Sequence, residues 1–257
     1  MKKLAPAAEG SRAAACRLAG RFAVVTGASS GIGQAIAFRL VAEGATVNAV
    51  GRDQVRLDQL SASAIATGGP GRIIPAQVDL TDDDARRALV AGLSAGPRVD
   101  LLIHSAGVHS RGDHINALIR DLDALYASNV RAPYALTQEL LPALSAGGGD
   151  IVVVNSTQGI RAAGGVGQYA ATQHAMRAIT DSLRQEVNAD GVRVCSIHLG
   201  RTASPLQEAI FAKEGRPFVP ELLVQPADVA EVLMAVLALP TNAEVTEIHL
   251  RPAKKTY

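Results

Sequence analysis

The sequence predicts an α/β fold, a doubly wound parallel sheet of seven strands with helices on both faces. First, short apolar runs alternate with longer segments of helical periodicity along the 257 residues. Second, the runs are apolar enough to be strands covered on both faces, as parallel sheets require. Third, helix-capping signals fall at the borders between the two kinds of segment.

Seven short apolar runs are predicted as strands. They are Phe22–Thr26, Thr46–Val50, Arg72–Gln77, Leu101–His104, Ile151–Asn155, Val192–His198 and Glu247–Leu250. Between them lie the predicted helices Ile32–Glu43, Gln54–Ala66, Asp82–Leu93, Leu118–Leu144, Gln168–Ala189 and Pro226–Leu239. Acidic residues from Asp82 to Asp84 suit the start of the third helix, where the helix dipole favours negative charge, and Pro240 suits a stop after the last.

Composition excludes several classes of protein. Hydrophobic residues make up 48% of the chain and charged residues 19%, which is typical of a globular domain and not of a disordered segment. The net charge is +1 without a basic block, so we expect no nucleic-acid and no membrane partner. With two cysteines, Cys16 and Cys195, no secretory signal and no apolar stretch of about 18 residues, we expect a cytoplasmic protein.

The chain shows no internal repeat, linker or composition break. We therefore predict an N-terminal tail over residues 1–19 and a single domain over residues 20–257. One internal segment, Gly200–Glu221, contains three prolines and Gly215. It is predicted as a long loop or a small lid over a site.

A glycine-rich turn joins the first predicted strand to the first predicted helix. Gly27, Gly31 and Gly33 follow the strand with the spacing G-x-x-x-G-x-G. Such a turn lets the backbone approach a pyrophosphate, whose charge is stabilised by the free N–H groups and the dipole at the helix N-terminus. The sequence therefore predicts a Rossmann-type, dinucleotide-binding domain. A plain turn is the alternative, which the strand before and the helix after it disfavour.

The chain resembles the short-chain dehydrogenase/reductase family over about residues 18 to 251. The markers are Thr26-Gly-Ala-Ser-Ser-Gly-Ile-Gly33, Val78-Asp79-Leu80, Ser105-Ala-Gly107, Asn129, and Ser156 with Tyr169. The resemblance implies that Asp79 contacts the adenine and that Thr202 and Ser204 contact the nicotinamide carboxamide. The candidate cofactor-binding residues are Gly27, Ser29, Ser30, Gly31, Ile32, Gly33, Arg52, Asp79, Leu80, Ser105, Ala106, Gly107, Gly200, Thr202 and Ser204.

The choice of cofactor depends on the end of the second predicted strand. An acidic residue there accepts hydrogen bonds from the ribose 2′-hydroxyl and repels a 2′-phosphate, whereas an arginine does the reverse. Gly51 stands at the place expected for the acid, and Arg52 follows it. The sequence therefore favours NADP over NAD. The alternative makes Arg52 a solvated side chain and Asp53 a helix cap.

The resemblance also implies a reaction, the transfer of a hydride between the nicotinamide and a small alcohol or carbonyl compound. In that family the tyrosine is the proton donor, which is Tyr169 here, and the serine thirteen residues earlier, Ser156, holds the carbonyl. By the same resemblance Asn129 holds a water of a proton relay. The family's lysine, four residues after the tyrosine, is replaced by Gln173. A neutral amide cannot favour an ionised phenol, so we expect cofactor binding to survive better than turnover.

Two hypotheses about function stay open on the sequence. One is an NADP-dependent oxidoreductase, and the other is a dinucleotide-binding protein that serves as a sensor, a subunit or a catalyst of a non-redox step. Gln173 is explained equally by a compensated natural change, by loss of redox chemistry or by an engineered substitution. We expect no metal site, because His109, Asp113 and His114 lack a ligand spacing. The resemblance implies a homodimer or homotetramer.

Overall fold

A single parallel sheet organises the part of the chain that the computed structural model describes, residues 17–254. The strand order is β3-β2-β1-β4-β5-β6-β7, and each neighbouring pair is parallel. The strands are β1 (Phe22–Thr26), β2 (Thr46–Gly51), β3 (Arg72–Gln77), β4 (Leu101–His104), β5 (Asp150–Ser156), β6 (Arg193–Leu199) and β7 (Glu247–Leu250). The predicted fold class is confirmed, and the strand bounds differ from the predicted ones by at most one residue.

Helices cover both faces of the sheet. They are α1 (Gly31–Ala42), α2 (Gln54–Ala66), α3 (Asp83–Ser94), α4 (Ile119–Tyr126), α5 (Ala132–Ser145), α6 (Gly167–Val187), α7 (Pro205–Lys213) and α8 (Pro226–Leu237). Among residues 17–254, no helix has the length and hydropathy needed to cross a membrane.

The sheet separates two hydrophobic cores. Alternate residues of β1 point to opposite faces, so that Val25 belongs to the core under α1, α2 and α8, and Val24 to the core under α3, α5 and α6. Leu18, which the sequence places in the predicted tail, is buried in the first core, and its N–H donates to the carbonyl of Glu43. Residues 1–16 of the predicted tail lie outside the described part of the chain. The buried, two-sided strands explain why the sequence shows apolar runs.

The segment predicted as one helix, Leu118–Leu144, is interrupted by a π-helical turn at Ala127–Arg131. Pro133 is the physical reason. A proline lacks the N–H that would bond to the carbonyl four residues earlier, and its ring clashes with that carbonyl, which here belongs to Asn129. The hydrogen-bond ladder therefore widens before α5 begins.

Of the two alternatives for Gly200–Glu221, a long loop or a small lid over a site, the long loop is wrong for the central part, which forms helix α7. Ser204 caps this helix by accepting a hydrogen bond from the N–H of Gln207 at 3.2 Å. Pro205 follows at the first helical position, where its missing N–H costs nothing. Prolines often indicate loops, but a serine followed by proline is also a typical helix start.

Candidate active site

The crevice at the carboxyl ends of β1 and β4 is where the structure gathers the predicted residues. These two strands are neighbours, but the chain runs from β1 toward one edge of the sheet and from β4 toward the other. Such a switch point leaves a crevice in which ligands of open α/β sheets bind. Two adjoining cavities occupy it, and they share lining residues that include Ile32, Ala106 and Ser204.

The first cavity, named here the glycine-turn cavity, extends from the turn after β1 to the end of β2. Most of the predicted cofactor residues line it: Gly27, Ser29, Ser30, Gly31, Ile32, Gly33, Arg52, Asp79, Leu80, Ser105, Ala106, Gly107 and Ser204. Gly200 and Thr202 line the second cavity instead, together with Ser204. Residues from five separate stretches of sequence thus meet around one groove.

The glycine turn has steric reasons for its glycines. Gly27 has a φ of +67°, and a Cβ there would lie 2.8 Å from the backbone N and Cα of Ala106. A Cβ at Gly33 would lie 2.4 Å from the carbonyl oxygen of Gly27. Thr26 fastens the facing loop, because its Oγ1 accepts from the N–H groups of Ser105 and Ala106, each at 3.1 Å. The backbone of the turn can therefore pack closely only without side chains.

Helix α1 begins at this turn without a side-chain cap. Ser30 occupies the N-cap position in an extended conformation, but its hydroxyl makes no capping hydrogen bond. The first N–H groups of a helix need acceptors, and the helix dipole adds partial positive charge there. This arrangement, with the glycine cradle beside it, fits the diphosphate of a dinucleotide.

Arg52 and Asp79 both line the glycine-turn cavity, on the side where the sequence predicts the adenosine. Arg52 is exposed. Its neighbour Asp53 is occupied as the cap of α2, where it accepts from the N–H of Arg56 at 3.1 Å. Hydrogen bonds from the side chain and the backbone N–H of Thr81 hold the pKa of Asp79 below its ordinary value, with a smaller contribution from the charge of Arg52.

The second cavity, named here the tyrosine cavity, contains Ser156, Tyr169, Gln173 and Asn129. Ser156 is the last residue of β5 and Tyr169 lies in the first turn of α6. The Ser156 hydroxyl accepts from the N–H of Gln158 at 3.1 Å and faces the Tyr169 phenol. Burial raises the pKa of the Tyr169 phenol above its ordinary value, and the Ser156 hydroxyl offsets only part of that rise. The phenol is therefore protonated at neutral pH.

Gln173 follows Tyr169 by about one helical turn and is only 8% exposed. Its side-chain amide makes one long hydrogen bond, from Nε2 to the Oγ1 of Thr172 at 3.4 Å. The backbone carbonyl of Gln173 accepts from Asn155 at 3.1 Å. The side chain brings no charge to the Tyr169 phenol.

Asn129 sits in the π-helical turn, and its amide is fully used. Its Oδ1 accepts from the N–H of Val108 at 2.8 Å, and its Nδ2 donates to the carbonyl of Val108 at 2.9 Å and to Thr172 Oγ1 at 3.2 Å. The hydroxyl of Thr172 in turn donates to the carbonyl of Tyr169 at 2.7 Å. Asn129 therefore ties the loop after β4 to the start of α6. π-turns of this kind occur frequently at functional sites.

From its place after β4, His109 could face the substrate or be a solvated loop side chain, and the sequence favours the solvated side chain. Its ring lies against the ring of Tyr169, with the centroids 4.6 Å apart. Burial lowers its pKa to about 4, and the positive charges of Arg111, Lys213 and Arg201 add to that shift. His109 is therefore neutral at pH 7. Its position depends on how the loop after β4 folds over α6.

A cluster of charges closes the far side of the tyrosine cavity. Glu214, just after α7, accepts from Arg111 Nη1 at 2.9 Å and from Arg201 Nη2 at 3.0 and 2.9 Å. The Arg201 guanidinium also lies over the ring of Phe211, 4.6 Å from its centroid. These contacts hold α7 over the cavity. No local sequence signal predicts these contacts, because Arg201 lies 13 residues and Arg111 103 residues from Glu214.

Comparison with known proteins identifies the family. The family model described as short chain dehydrogenase matches residues 21–215. The chain belongs to this family. It is 32% identical over 235 residues to the uncharacterized short-chain type dehydrogenase/reductase y4eK of Sinorhizobium fredii, covering 90% of both chains. It is 28% identical over 247 residues to the human dehydrogenase/reductase SDR family member 11, covering 91% of this chain and 95% of the human one.

Solved structures of family members have the same fold. A metagenomic short-chain oxidoreductase in complex with NADP is 30% identical, with a TM-score of 0.78 and coverage of 93% of this chain and 100% of that one. A short chain dehydrogenase from Burkholderia cenocepacia in complex with NADP is 29% identical, with a TM-score of 0.79 and coverage of 91% and 97%. The protein is thus an oxidoreductase of the short-chain type that uses a nicotinamide dinucleotide.

Proposed function

We propose that this protein is an NADP-dependent oxidoreductase that interconverts a small alcohol and the corresponding carbonyl compound. The observation that carries the proposal is that Ser156 and Tyr169 lie together in a cavity that adjoins the glycine turn. The groove leads from a place suited to a diphosphate to a place suited to a carbonyl oxygen. Neither end of the groove alone would imply a redox reaction.

The residues present fit the cofactor, because a Cβ at Gly27 or Gly33 would fill the cradle that the turn leaves open. In the proposal the amides of the turn and the hydroxyls of Ser29 and Ser30 hold the diphosphate, Asp79 contacts the adenine, and Thr202 with Ser204 contact the carboxamide. When bound, the cofactor supplies or receives the hydride. The chain itself binds the substrate, orients it and moves a proton.

Tyr169 and Ser156 divide the work at the substrate oxygen. In reduction, the Tyr169 phenol would give its proton to the substrate oxygen as the carbonyl carbon is reduced, and solvent would return a proton to the phenolate. Ser156 donates a hydrogen bond to the same oxygen and so stabilises the developing negative charge. The raised pKa of Tyr169 keeps the phenol protonated and able to act as the acid. Asn129 acts as a positioning residue, through Thr172 and the carbonyl of Tyr169.

In this proposal Gln173 slows the oxidation of the alcohol, which is the reverse reaction. Oxidation of an alcohol needs the phenolate as a base, and a neutral amide in place of an ammonium does not favour that form. We therefore propose that reduction at neutral pH outpaces oxidation. The second candidate, a dinucleotide-binding protein without redox chemistry, is favoured by Gln173 alone, whereas the intact Ser156–Tyr169 pair supports the enzyme.

Arg52 supports NADP as the preferred cofactor. Gly51 places no carboxylate at the end of β2, the exposed Arg52 guanidinium lines the cavity, and the carboxylate of Asp53, which also lines it, caps α2. The two solved relatives named above are complexes with NADP. The cytoplasmic location, the single-domain organisation and the homodimeric or homotetrameric state remain predictions.

One experiment separates the candidates. NADPH and NADH are titrated against the protein by fluorescence, and a panel of small aldehydes and ketones is then assayed with NADPH for the unchanged protein, Tyr169→Phe and Gln173→Lys. We expect tighter binding of NADPH than of NADH, and turnover that Tyr169→Phe removes. NADPH binding without turnover in either the unchanged protein or Gln173→Lys would favour the non-redox candidate. Tighter binding of NADH would contradict the role of Arg52.

A further inference from the structure

Three side chains that could bind a metal ion meet on one face of the sheet near its β7 edge. His198 lies in β6 and is the register partner of His249 in β7, and Glu247 precedes His249 by two residues. Register partners in a parallel pair, and residues two apart in one strand, share a face of the sheet. The E-x-H sequence of β7 therefore places both of its polar side chains beside His198.

The donor atoms have nearly the spacing of a metal site. His198 Nε2 lies 3.5 Å from Glu247 Oε1, and His249 Nε2 lies 3.6 Å from Glu247 Oε2. One ligating atom from each of the three residues falls within 4.8 Å of the other two. Zinc bonds histidine nitrogen and carboxylate oxygen at about 2.0–2.2 Å in tetrahedral geometry, which puts neighbouring donors roughly 3.3–3.6 Å apart. The two histidine–glutamate pairs have this separation, each through a different oxygen of the Glu247 carboxylate.

A second, independent observation concerns the unused nitrogen of His198. The residue is fully buried, and its Nε2 has no hydrogen-bond partner, because 3.5 Å to Glu247 is too long for one. The other ring nitrogen, Nδ1, faces the carbonyl oxygen of Ser156 at 3.4 Å. A proton on Nδ1 turns the lone pair of Nε2 toward a carboxylate oxygen, an arrangement that a cation between the two would stabilise.

The surroundings resemble the outer shell of a metal site. Metal-bound histidines usually donate their second ring N–H to a carbonyl or carboxylate, and ligating carboxylates are themselves hydrogen-bonded. His198 faces the Ser156 carbonyl in this way, and Glu247 Oε1 accepts from Arg177 Nε at 3.1 Å. Glu247 Oε2 lies on the side of His249.

We propose that His198 Nε2, His249 Nε2 and the Glu247 carboxylate form a zinc site that joins the edge strand β7 to β6. Two imidazoles and one carboxylate suit Zn²⁺, and a fourth position stays open for water, because His249 is 53% exposed. The site departs from the expectation of no metal site, which rests on His109, Asp113 and His114. It is separate from the proposed redox function and does not depend on it.

The test uses the full chain without an affinity tag, stripped of metal by a chelator. Co²⁺ is titrated while the visible d–d absorption is recorded, and Zn²⁺ is then added to displace it. We expect one equivalent of Co²⁺ with the intense bands of a tetrahedral site. Saturating Zn²⁺ should raise the Tm by roughly 5–10 °C, since a ligand that binds only the folded state stabilises it.

Matched variants identify the ligands. His249→Ala at the half-exposed edge should lower Co²⁺ affinity by more than about 100-fold, a larger loss than changes outside the ligand set cause, and Glu247→Gln should act likewise. His174→Ala, which removes an exposed histidine of α6, should bind Co²⁺ as the unchanged protein does. Thermal unfolding in chelator checks that each variant is folded. Absence of a one-to-one Co²⁺ complex, unchanged binding in folded His249→Ala, or an equal loss in His174→Ala would overturn the proposal.

Discussion

The glycine-turn cavity and the tyrosine cavity differ in which part of the chain shapes them, backbone in the first and side chains in the second. The first is formed largely by backbone, at glycines whose Cβ atoms would lie within 3 Å of other backbone atoms. The second is formed by side chains such as Ser156, Tyr169 and Gln173, which hydrogen bonds hold in place. A backbone-built site tolerates almost no substitution without loss of packing, whereas a side-chain-built site can change the chemistry of a side chain while the fold persists. Gln173 lies in the second kind of site.

Replacing the Tyr169 phenol should give the largest difference between the functions of the two cavities, because it should affect turnover and not cofactor binding. We expect Tyr169→Phe to lower kcat for carbonyl reduction by about 10²- to 10⁴-fold, the usual cost of losing a general acid. NADPH affinity should stay within about twofold, because the hydroxyl does not line the glycine-turn cavity. Steady-state kinetics and fluorescence titration measure the two quantities, and an equal loss of both would contradict the division of roles.

The converse experiment substitutes a glycine of the glycine-turn cavity. Gly33→Ala places a Cβ 2.4 Å from the Gly27 carbonyl oxygen, and neither backbone segment can yield cheaply. A strain of about 3 kcal/mol would weaken NADPH binding by about 100-fold or lower stability by the same free energy. Both are measured, by fluorescence titration and by urea unfolding.

Gly92→Ala serves as the control, because Gly92 lies inside α3 without a positive φ, and a Cβ added there would have no neighbouring atom within 4 Å. It should bind NADPH normally and gain about 0.5–1 kcal/mol of stability, since alanine favours helix over glycine. Unchanged NADPH affinity and stability in Gly33→Ala would show that the backbone of the glycine turn can move to accommodate a Cβ, contrary to the prediction.

Introducing a positive charge near the Tyr169 phenol should change the pH dependence of catalysis in the tyrosine cavity and leave the glycine-turn cavity unaffected. Burial raises the pKa of Tyr169, so the phenolate needed for alcohol oxidation forms only at high pH. An ammonium in Gln173→Lys should lower that pKa, move the rise of kcat for oxidation to lower pH, and increase oxidation at pH 8 by about tenfold for each pKa unit. NADPH affinity should change little.

The pH profiles of kcat for the two proteins provide the measurement. Gln185→Lys, an exposed glutamine of the same helix, is the matched control and should leave the profile unchanged. An unshifted profile in Gln173→Lys would mean that the residue has no influence on the phenol.

A smaller effect is expected at the rim of the glycine-turn cavity. Arg52→Ala should weaken the binding of NADPH by about tenfold, the value of one exposed charge-assisted contact, and leave the affinity for NADH unchanged. Arg87→Ala is a suitable control, because its exposed guanidinium pairs with Asp84 at 2.6 Å and does not line the cavity. Equal losses for both cofactors would assign Arg52 to the fold and not to the 2′-phosphate.

Much of the glycine-turn cavity is accessible to sequence reasoning, because a strand, a spaced glycine turn and a helix are local features. Spacing alone identifies Gly27, Gly31 and Gly33, and all three line the cavity. Family resemblance identifies Ser156 and Tyr169, whose hydroxyls meet in the structure. Helix α7 was not predicted from the sequence, although a signal for a helix start, Ser204 before Pro205, is present in the chain.

By itself, the sequence determined what depends on neighbours in the chain: the apolar strands, most of the helices and the glycine turn. Only the tertiary structure decided which distant side chains meet, as His109 does with Tyr169, or Glu247 with His198. The reason is physical. Periodicity and backbone sterics act over a few residues, whereas contacts between side chains depend on strand register and on loop paths that the packing of the whole sheet selects.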